Sequence, residues 1–152
     1  MNDFVVPTVQ VDVEALLSDG QQISGCVFLP SGTPHHAGPE LPSEWLNEPT
    51  GFVAFLPTGG GTAFLLNKGA IVCLSVSAAD DSGPSDGLGE AHAVTIEAGP
   101  QRWSGALRVE GPPEKSRVLD LLNKPDRFLK LIDGERHHLV RRSAVTRVIE
   151  SR

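Results

Sequence analysis

Basic side chains are the group in this 152-residue chain best suited to bind a ligand, and they are concentrated near its C-terminal end. Guanidinium groups bind phosphate or carboxylate through paired hydrogen bonds, so adjacent strands that carry several arginines could hold an anion. The alternative is a solvated outer face whose charges deter edge-to-edge pairing of sheets. The anion-binding candidates are Arg108, Lys130, Arg136, Arg141, Arg142 and Arg147.

Histidines are the next candidates for chemistry, because they bind metal ions. Two adjacent pairs occur, one at residues 35–36 in a loop rich in Pro and Gly and one at residues 137–138. Consecutive residues of a strand point to opposite faces, so the second pair cannot converge on one ion. Cys26 and Cys73 lie in apolar stretches without ligand spacing, which predicts buried free thiols. We expect no metal and no cofactor.

A glycine-rich turn at residues 58–62 (TGGGT) is similar in composition to phosphate-binding loops. Those loops precede a helix and usually include a lysine, whereas the next residues here, AFLL, predict a strand. The turn therefore predicts a hairpin. The chain has no H-E-x-x-H motif and no pair of carboxylates among apolar residues that would shift a pKa. We expect a protein that is not an enzyme.

Composition indicates a folded protein of modest size. Hydrophobic residues form 39% and charged residues 21% of the chain, as in globular proteins. No apolar run approaches the roughly 20 residues that a bilayer-spanning helix needs. The acidic start lacks the positive region of a secretory signal. We therefore expect a cytoplasmic protein without membrane insertion.

Charge is distributed unevenly along the chain. Of the 13 lysines and arginines only Lys68 lies before residue 101, whereas 12 of the 19 acidic residues do. Such asymmetry indicates polar partners or halves that face each other. Nucleic acid is an unlikely partner on this pattern, because the sequence pI is 5.3, there is no Tyr, and Trp103 and Phe128 fit a core better than a base-stacking surface.

The chain contains an internal repeat. Residues 23–27 (ISGCV) match 103–107 (WSGAL), residues 45–56 match 121–132, and residues 67–72 match 141–146. Because the three matches keep their order and nearly constant spacing, a tandem duplication explains them better than chance. The predicted organisation is copy 1 in residues 1–76, a flexible acidic Gly/Ser linker in 77–90, and copy 2 with a basic surface in 91–152.

Each copy reads as two strands, a short helix and three strands. In copy 2, alternation predicts strands near residues 93–98 and 103–109, and apolar residues at helical spacing predict a helix over 114–122. Asp133-Gly134 predicts the turn of a hairpin between 127–132 and 136–140. Short strands in this number favour a small barrel or a bent sheet. The predicted fold class is mainly β, with two such units packed as a pseudo-dimer.

This arrangement, with a strand hairpin, a helix that ends in LLN at 121–123, and FLKLIDG at 128–134, resembles short uncharacterised bacterial β-rich domains. The resemblance implies an architecture and a bacterial source, and it implies no activity. It covers copy 2; copy 1 departs from it because it lacks the long helix and the Asp-Gly turn.

Matched positions of the two copies differ in character, with apolar residues in copy 1 where copy 2 is basic. Strands of copy 1, such as 51–56 and 70–74, are continuous apolar runs, which is typical of strands buried on both faces. We hypothesise that copy 2 covers one face of copy 1 and that a second chain or partner covers the other. The matched pairs are Phe28 with Arg108, Ala54 with Lys130, and Cys73 with Arg147.

These patterns favour a non-catalytic protein-interaction or regulatory adaptor module. Its partner would be another protein or a second copy in a homodimer, contacted through Phe28, Ala54 and Cys73. The alternative function is an anion-binding sensor that holds the phosphate of a nucleotide or nucleic acid through the arginines of copy 2.

Overall fold

The computed structural model of the chain describes residues 7–34, 36–49, 51–83, 87–112 and 117–151. It contains one antiparallel sheet of ten strands, which confirms the mainly β fold. No helix within these ranges combines the length and the apolar character needed to cross a bilayer. The strands are β1 Thr8–Leu17, β2 Gln22–Pro30, β3 Phe52–Pro57, β4 Phe64–Asn67, β5 Ile71–Ser77, β6 Glu90–Ala98, β7 Gln101–Val109, β8 Phe128–Asp133, β9 Arg136–Arg141 and β10 Arg147–Glu150.

Two short α-helices connect neighbouring strands in the described part of the chain. Helix α1, Pro42–Asn47, follows β2, and helix α2, Val118–Leu122, follows β7. Both begin in the same way, because a carboxylate accepts a hydrogen bond from an amide three residues earlier: Glu44 from Leu41 at 2.9 Å and Asp120 from Arg117 at 3.2 Å. The predicted helix over 114–122 is thus observed from Val118, and residues 113–116 lie outside the described ranges.

The two halves of the sheet repeat one order of strands. From one end the order is β10-β6-β7-β8-β9, followed by β5-β1-β2-β3-β4. Residues that lie opposite each other on two strands of the first half are matched in the sequence by residues that lie opposite each other in the second half. Cys26 lies opposite Leu56, as Ala106 lies opposite Ile132, and Phe52 lies opposite Asn67, as Phe128 lies opposite Arg141. The first half (β1 to β5) and the second half (β6 to β10) therefore share strand order and register.

A glycine at the centre of each half allows two strands to approach closely. A Cβ atom on Gly25 of β2 would lie 2.2 Å from the Leu56 carbonyl oxygen, and one on Gly105 of β7 would lie 2.4 Å from the Ile132 carbonyl oxygen. No side chain can occupy that space without displacing backbone. The close approach of the strands thus explains why both halves have a glycine at this position of the repeat.

The sheet is open, and the expected alternative of a closed barrel is wrong. Strand β4 pairs only with β3, and β10 pairs only with β6, so these two strands form the ends of the sheet among the described residues. The halves join instead through β5 and β9, with Leu74 opposite Leu139 and Cys73 opposite Val140.

Two hydrophobic cores lie on opposite faces of the sheet. The first contains Trp45 and Leu46 of α1 and the inward side chains of β1 to β5, and the second contains Val118 of α2 and those of β6 to β8. Adjacent residues of the joining strands point into different cores, Leu74 into the first and Cys73 into the second. The continuous apolar run at 70–74 therefore belongs to a strand that is covered on both faces.

Helix α1 of the first half extends the junction over the second half. The Asn47 side-chain oxygen accepts hydrogen bonds from the amides of Arg127, at 2.9 Å, and Phe128, at 3.0 Å. Phe128 belongs to the same core as Trp45 and Leu46 of α1. The side chain of Arg141 donates to the Ile71 carbonyl at 2.7 Å. The junction thus combines a strand ladder, a helix packed on β8 and side-chain hydrogen bonds.

Candidate functional site

An exposed apolar surface covers the outer face of β2, β3 and β4, opposite the first core. Alternation along β3 explains it, since Val53 and Phe55 point into the core while Phe52, Ala54 and Leu56 point outward. We call this surface the apolar face, and its members are Phe28, Phe52, Ala54, Leu56 and Leu65. It lies beside β4, which has a strand neighbour on one side only.

The three predicted interaction residues do not lie together. Phe28 and Ala54 belong to the apolar face and are exposed. Cys73 is 2% exposed and lies in the second core, because β5 is the strand that joins the halves. Burial raises the pKa of its thiol to about 12. Cys73 therefore contributes to the junction inside the chain and not to an accessible surface.

The basic candidates do not converge on one site. Arg147 lies on β10, which β6, β7 and β8 separate from β9, so the expectation of adjacent strands is wrong for this residue. Its guanidinium binds Glu97, which also binds Arg102; these hydrogen bonds hold the pKa of Glu97 below its usual range. Arg108 donates to the Gly89 carbonyl at 3.1 Å.

The other basic candidates bind groups of the chain itself. Arg136 pairs with Glu14 at 3.6 Å, and Arg142 donates to the Leu122 carbonyl at 3.3 Å. Lys130 pairs with the carboxylate of Asp81 at 3.1 Å. The charges expected to form a solvated or anion-binding face are therefore largely engaged in intramolecular contacts.

Asp81 is a buried carboxylate at the start of the segment predicted to be a flexible linker. It is 0% exposed and accepts hydrogen bonds from the Ser43 amide at 2.9 Å and from His137 Nδ1 at 2.8 Å. Burial by itself raises the pKa of Asp81, but the contacts from His137, Lys130 and Ser43 outweigh burial and lower it. This part of the linker is thus fixed against both halves, while residues 84–86 lie outside the described ranges.

A cluster of cations lines a cleft at the junction. Lys68 is buried, lies 4.7 Å from the centroid of the Trp45 ring, and donates to the Trp45 carbonyl. Arg141 stacks at 4.7 Å on Phe128, and Arg127 lines the same cleft. Burial, and then the nearby Arg127 charge, lower the pKa of Arg141. The pKa of Lys68 is lowered mainly by burial, with Glu48 opposing.

Ser75, His138 and Asp133 form a hydrogen-bonded chain across β5, β9 and the end of β8. The Ser75 hydroxyl bonds His138 Nδ1 at 2.7 Å, and His138 Nε2 bonds Asp133 at 3.2 Å. His137, the next residue, faces Asp81 instead, so the two histidines have different partners, as expected for one strand. In a catalytic triad, a histidine that an aspartate orients takes the proton of the serine hydroxyl.

The segment 83–87 reads GPSDG and fits the G-x-S-x-G pattern of nucleophilic serines. That pattern acts at a sharp turn between a strand and a helix. Here the segment leads into strand β6, and Ser85 lies outside the described residues. The context that would make the pattern informative is therefore not observed.

A groove beside α1 contains the buried carboxylate of Glu40. Glu40 is 4% exposed, and its Oε1 atom has no hydrogen-bond partner among the described residues. His36 lines the same groove and bonds Glu44 at 2.7 Å; bonds to the Ala37 carbonyl and to Glu44 raise the pKa of His36. No group of three metal-binding side chains occurs in the described ranges, and His35 lies outside them.

The chain matches no protein-family model, no curated protein and no solved structure.

Sequence reasoning missed the residues that hold the halves together. Asp81 looks like its neighbour Asp80 in the sequence, and only the fold brings it to His137. Asn47 carried a usable signal, because it is matched by Asn123 in the repeat. The apolar face also had a signal in the sequence, because Phe52 and Leu65 occupy outward positions that are normally polar on a half-exposed strand.

Proposed function

We propose that this protein is a non-catalytic interaction or regulatory adaptor module that binds a protein partner through the apolar face and the adjacent edge of β4. The observation that carries the proposal is the grouping of five exposed apolar side chains on three neighbouring strands. Exposed apolar patches on a folded domain mark protein-interaction sites, because burying them removes apolar surface from water.

The position of the apolar face at the end of the sheet adds a second form of recognition. An end strand presents unpaired amide and carbonyl groups, to which an extended partner segment can add as a further strand. In β4 these groups lie beside Leu65, which is 74% exposed. Main-chain hydrogen bonds would supply affinity, and the outward side chains would select the partner.

We further propose that the two halves arose by tandem duplication and then diverged. The repeated strand order, the matched registers and the matched glycines at 25 and 105 support this origin. Divergence left the first half with an apolar outer face and the second half with charged residues that bind its neighbour. We retain a cytoplasmic location and a bacterial source as parts of this proposal.

Affinity capture with a disabled variant tests the interaction function. The wild-type chain and the Phe28→Asp/Phe52→Asp variant are used as baits in the native lysate, with Leu88→Asp, an exposed apolar residue elsewhere, as matched control. We expect a protein that the wild type and the control retain and the double variant loses, and whose purified form binds directly in calorimetry. Equal recovery by all three baits contradicts the proposal, provided that all three melt at similar temperatures.

The second candidate function, anion binding, is favoured by the cation cluster of Lys68, Arg127 and Arg141 rather than by the full set of arginines. Burial, and to a smaller extent repulsion from Arg127, lower the pKa values of Lys68 and Arg141. An anion beside Arg127 would offset that repulsion. Titration with pyrophosphate tests this candidate. Salt-sensitive binding that Arg127→Ala abolishes and Arg102→Ala preserves would favour the sensor over the adaptor.

A further inference from the structure

The two ends of the sheet are related to its internal junction. Inside the chain, β5 of the first half pairs with β9 of the second. In the repeated strand order β10 occupies the position of β5, and β4 occupies the position of β9. The two end strands, each with a neighbour on one side only, are therefore the counterparts of the two strands that already pair within one chain.

The residues buried at the internal junction have exposed counterparts at the β4 end. Phe128 is 5% exposed beneath α1, whereas its counterpart Phe52 is 65% exposed. Leu139 is 0% exposed between the halves, whereas its counterpart Leu65 is 74% exposed. The apolar face thus contains the side chains that a neighbouring half covers elsewhere in the same molecule.

The opposite end offers the matching covering groups. Asn123, at the end of α2, is the counterpart of Asn47, and its side chain makes no hydrogen bond among the described residues, whereas Asn47 binds the amides of Arg127 and Phe128. Ile149 on β10 is exposed. The β10 end therefore retains the asparagine that the internal junction uses, and it carries the apolar Ile149 where β5 has Ser75.

We propose that β10 of one copy of this chain pairs with β4 of a second copy, in the geometry of the internal junction. Replacing each residue of the β5–β9 ladder by its counterpart predicts an antiparallel ladder with Arg147 opposite Leu66, Val148 opposite Leu65 and Ile149 opposite Phe64. In the same contact, Asn123 of the first copy accepts hydrogen bonds from the amides of Gly51 and Phe52 in the second. This inference rests on the proposed function and identifies the partner as the chain itself.

The two junctions differ in their charges. At the β10 end Arg147 replaces the buried Cys73, and its guanidinium keeps Glu97 as partner. Lys130 and His137 need the buried carboxylate of Asp81 at the internal junction. Their counterparts at the β4 end are Ala54 and Ala63, which bring no charge that would need a buried partner. A covering half can therefore bury the apolar face without the cost of an unpaired charge.

The contact joins different surfaces of the two copies, because β4 of one receives β10 of the other. Such heterologous contacts close into rings or continue as open chains, so each associated copy still offers an end strand until a ring closes. The size of the assembly therefore depends on protein concentration, and its copies are arranged head to tail.

Complementing variants test this arrangement in the full-length chain. Leu65→Arg disables the β4 end, Ile149→Arg disables the β10 end, and Leu88→Arg is the matched control at an unrelated exposed leucine. All are measured by sedimentation velocity over a wide range of concentration. We expect the wild type and the control to associate, and each end variant to raise the half-association concentration by roughly tenfold or more.

The decisive measurement is an equimolar mixture of the two end variants. Each variant retains the end that the other has lost, so the mixture should form a complex of two chains and no larger species. A monomeric wild type, an end variant that associates like the wild type, or a mixture that remains monomeric overturns the inference. Circular dichroism and thermal melting identify any variant that fails to fold; Leu65→Ser and Ile149→Ser then replace it.

The same data separate this inference from the proposed function. If the wild type is monomeric at every concentration, the partner is not a second copy, and the capture experiment with Phe28→Asp/Phe52→Asp decides whether another protein binds the apolar face. If that experiment also finds no dependent partner, the proposed function fails as well.

Discussion

The carboxylate of Asp81 contacts the imidazole of His137 at 2.8 Å, although the two residues are 56 positions apart in the chain. The contact is buried and also includes Lys130 and the Ser43 amide. It ties the segment between the halves to β9 and to α1.

Removing the Asp81 carboxylate should strongly destabilise the fold. Asp81→Ala leaves the Lys130 charge and the His137 ring without their buried partner, a loss that typically costs about 3–5 kcal/mol. The exposed neighbour provides the control, because Asp80→Ala should change stability by less than about 0.5 kcal/mol. Urea unfolding of both variants measures the difference, and equal stabilities would show that the buried contact is not stabilising.

Stability should fall in acid through the same group. The pKa of Asp81 is lower in the folded chain than its unfolded value, which is about 3.9. The ionised carboxylate therefore stabilises the fold above about pH 4, and this contribution is lost as pH falls through the lower, folded value. Unfolding measured from neutral pH to about pH 2.5 should show a smaller acid loss for Asp81→Asn than for the wild type. Glu97, whose pKa is lowered by its hydrogen bonds to Arg102 and Arg147, contributes to the loss that remains.

Gly25 and Gly105, which occupy matched positions in the two halves, should not tolerate a side chain. Gly25→Ala and Gly105→Ala each place a Cβ within 2.4 Å of a carbonyl oxygen, so each should cost about 2–3 kcal/mol. Gly51→Ala is the control, since nothing lies within 4 Å of its added Cβ. Thermal melting of the three variants checks this, and a neutral Gly105→Ala would contradict the close approach of β7 and β8.

Neither cysteine should react in the native protein. Cys73 is 2% exposed with a thiol pKa of about 12, and Cys26 is 4% exposed. Because the thiolate is the reactive form, a disulfide reagent at neutral pH should titrate both thiols only after denaturation. Rapid reaction of one thiol in the native chain would place Cys73 or Cys26 at an accessible surface.

Ser75 should not act as a nucleophile despite its contact with His138. A nucleophilic serine also needs amide donors directed at an oxyanion. Strand β5 pairs with β1 on one side and β9 on the other, so its amides are engaged in ladders around Ser75. We expect no labelling by a fluorophosphonate probe in the wild type, with Ser75→Ala as the control. Labelling that this substitution abolishes would contradict a non-catalytic function.

The order and type of the strands could be predicted from local patterns. Alternation in β7, the Asp133-Gly134 turn between β8 and β9, and the strand after the glycine turn are all confirmed. These features depend on neighbours within a few residues, which is why one sequence suffices to predict them. The start of the helix was predicted wrongly at Arg117, which has an extended backbone and precedes a helix that runs only from Val118 to Leu122.

Contacts between distant segments could not be predicted. Nothing in the residues around Asp81 distinguishes it from a solvated linker aspartate until β9 brings His137 beside it. Cys73 was expected on an interaction surface because its stretch is apolar, but the same pattern fits a strand shared by two cores. Arg147 was placed beside β9, because the sequence does not show that the last strand pairs with β6.

The placement of two cores on opposite faces of one sheet has a consequence for cooperativity. Strands β5 and β9 contribute side chains to both cores. Neither half can therefore lose its packing without exposing buried side chains of the other. We therefore expect heat to melt the chain in one step, with calorimetric and van't Hoff enthalpies in agreement. In this respect the repeat behaves as one thermodynamic unit, despite its two-part architecture.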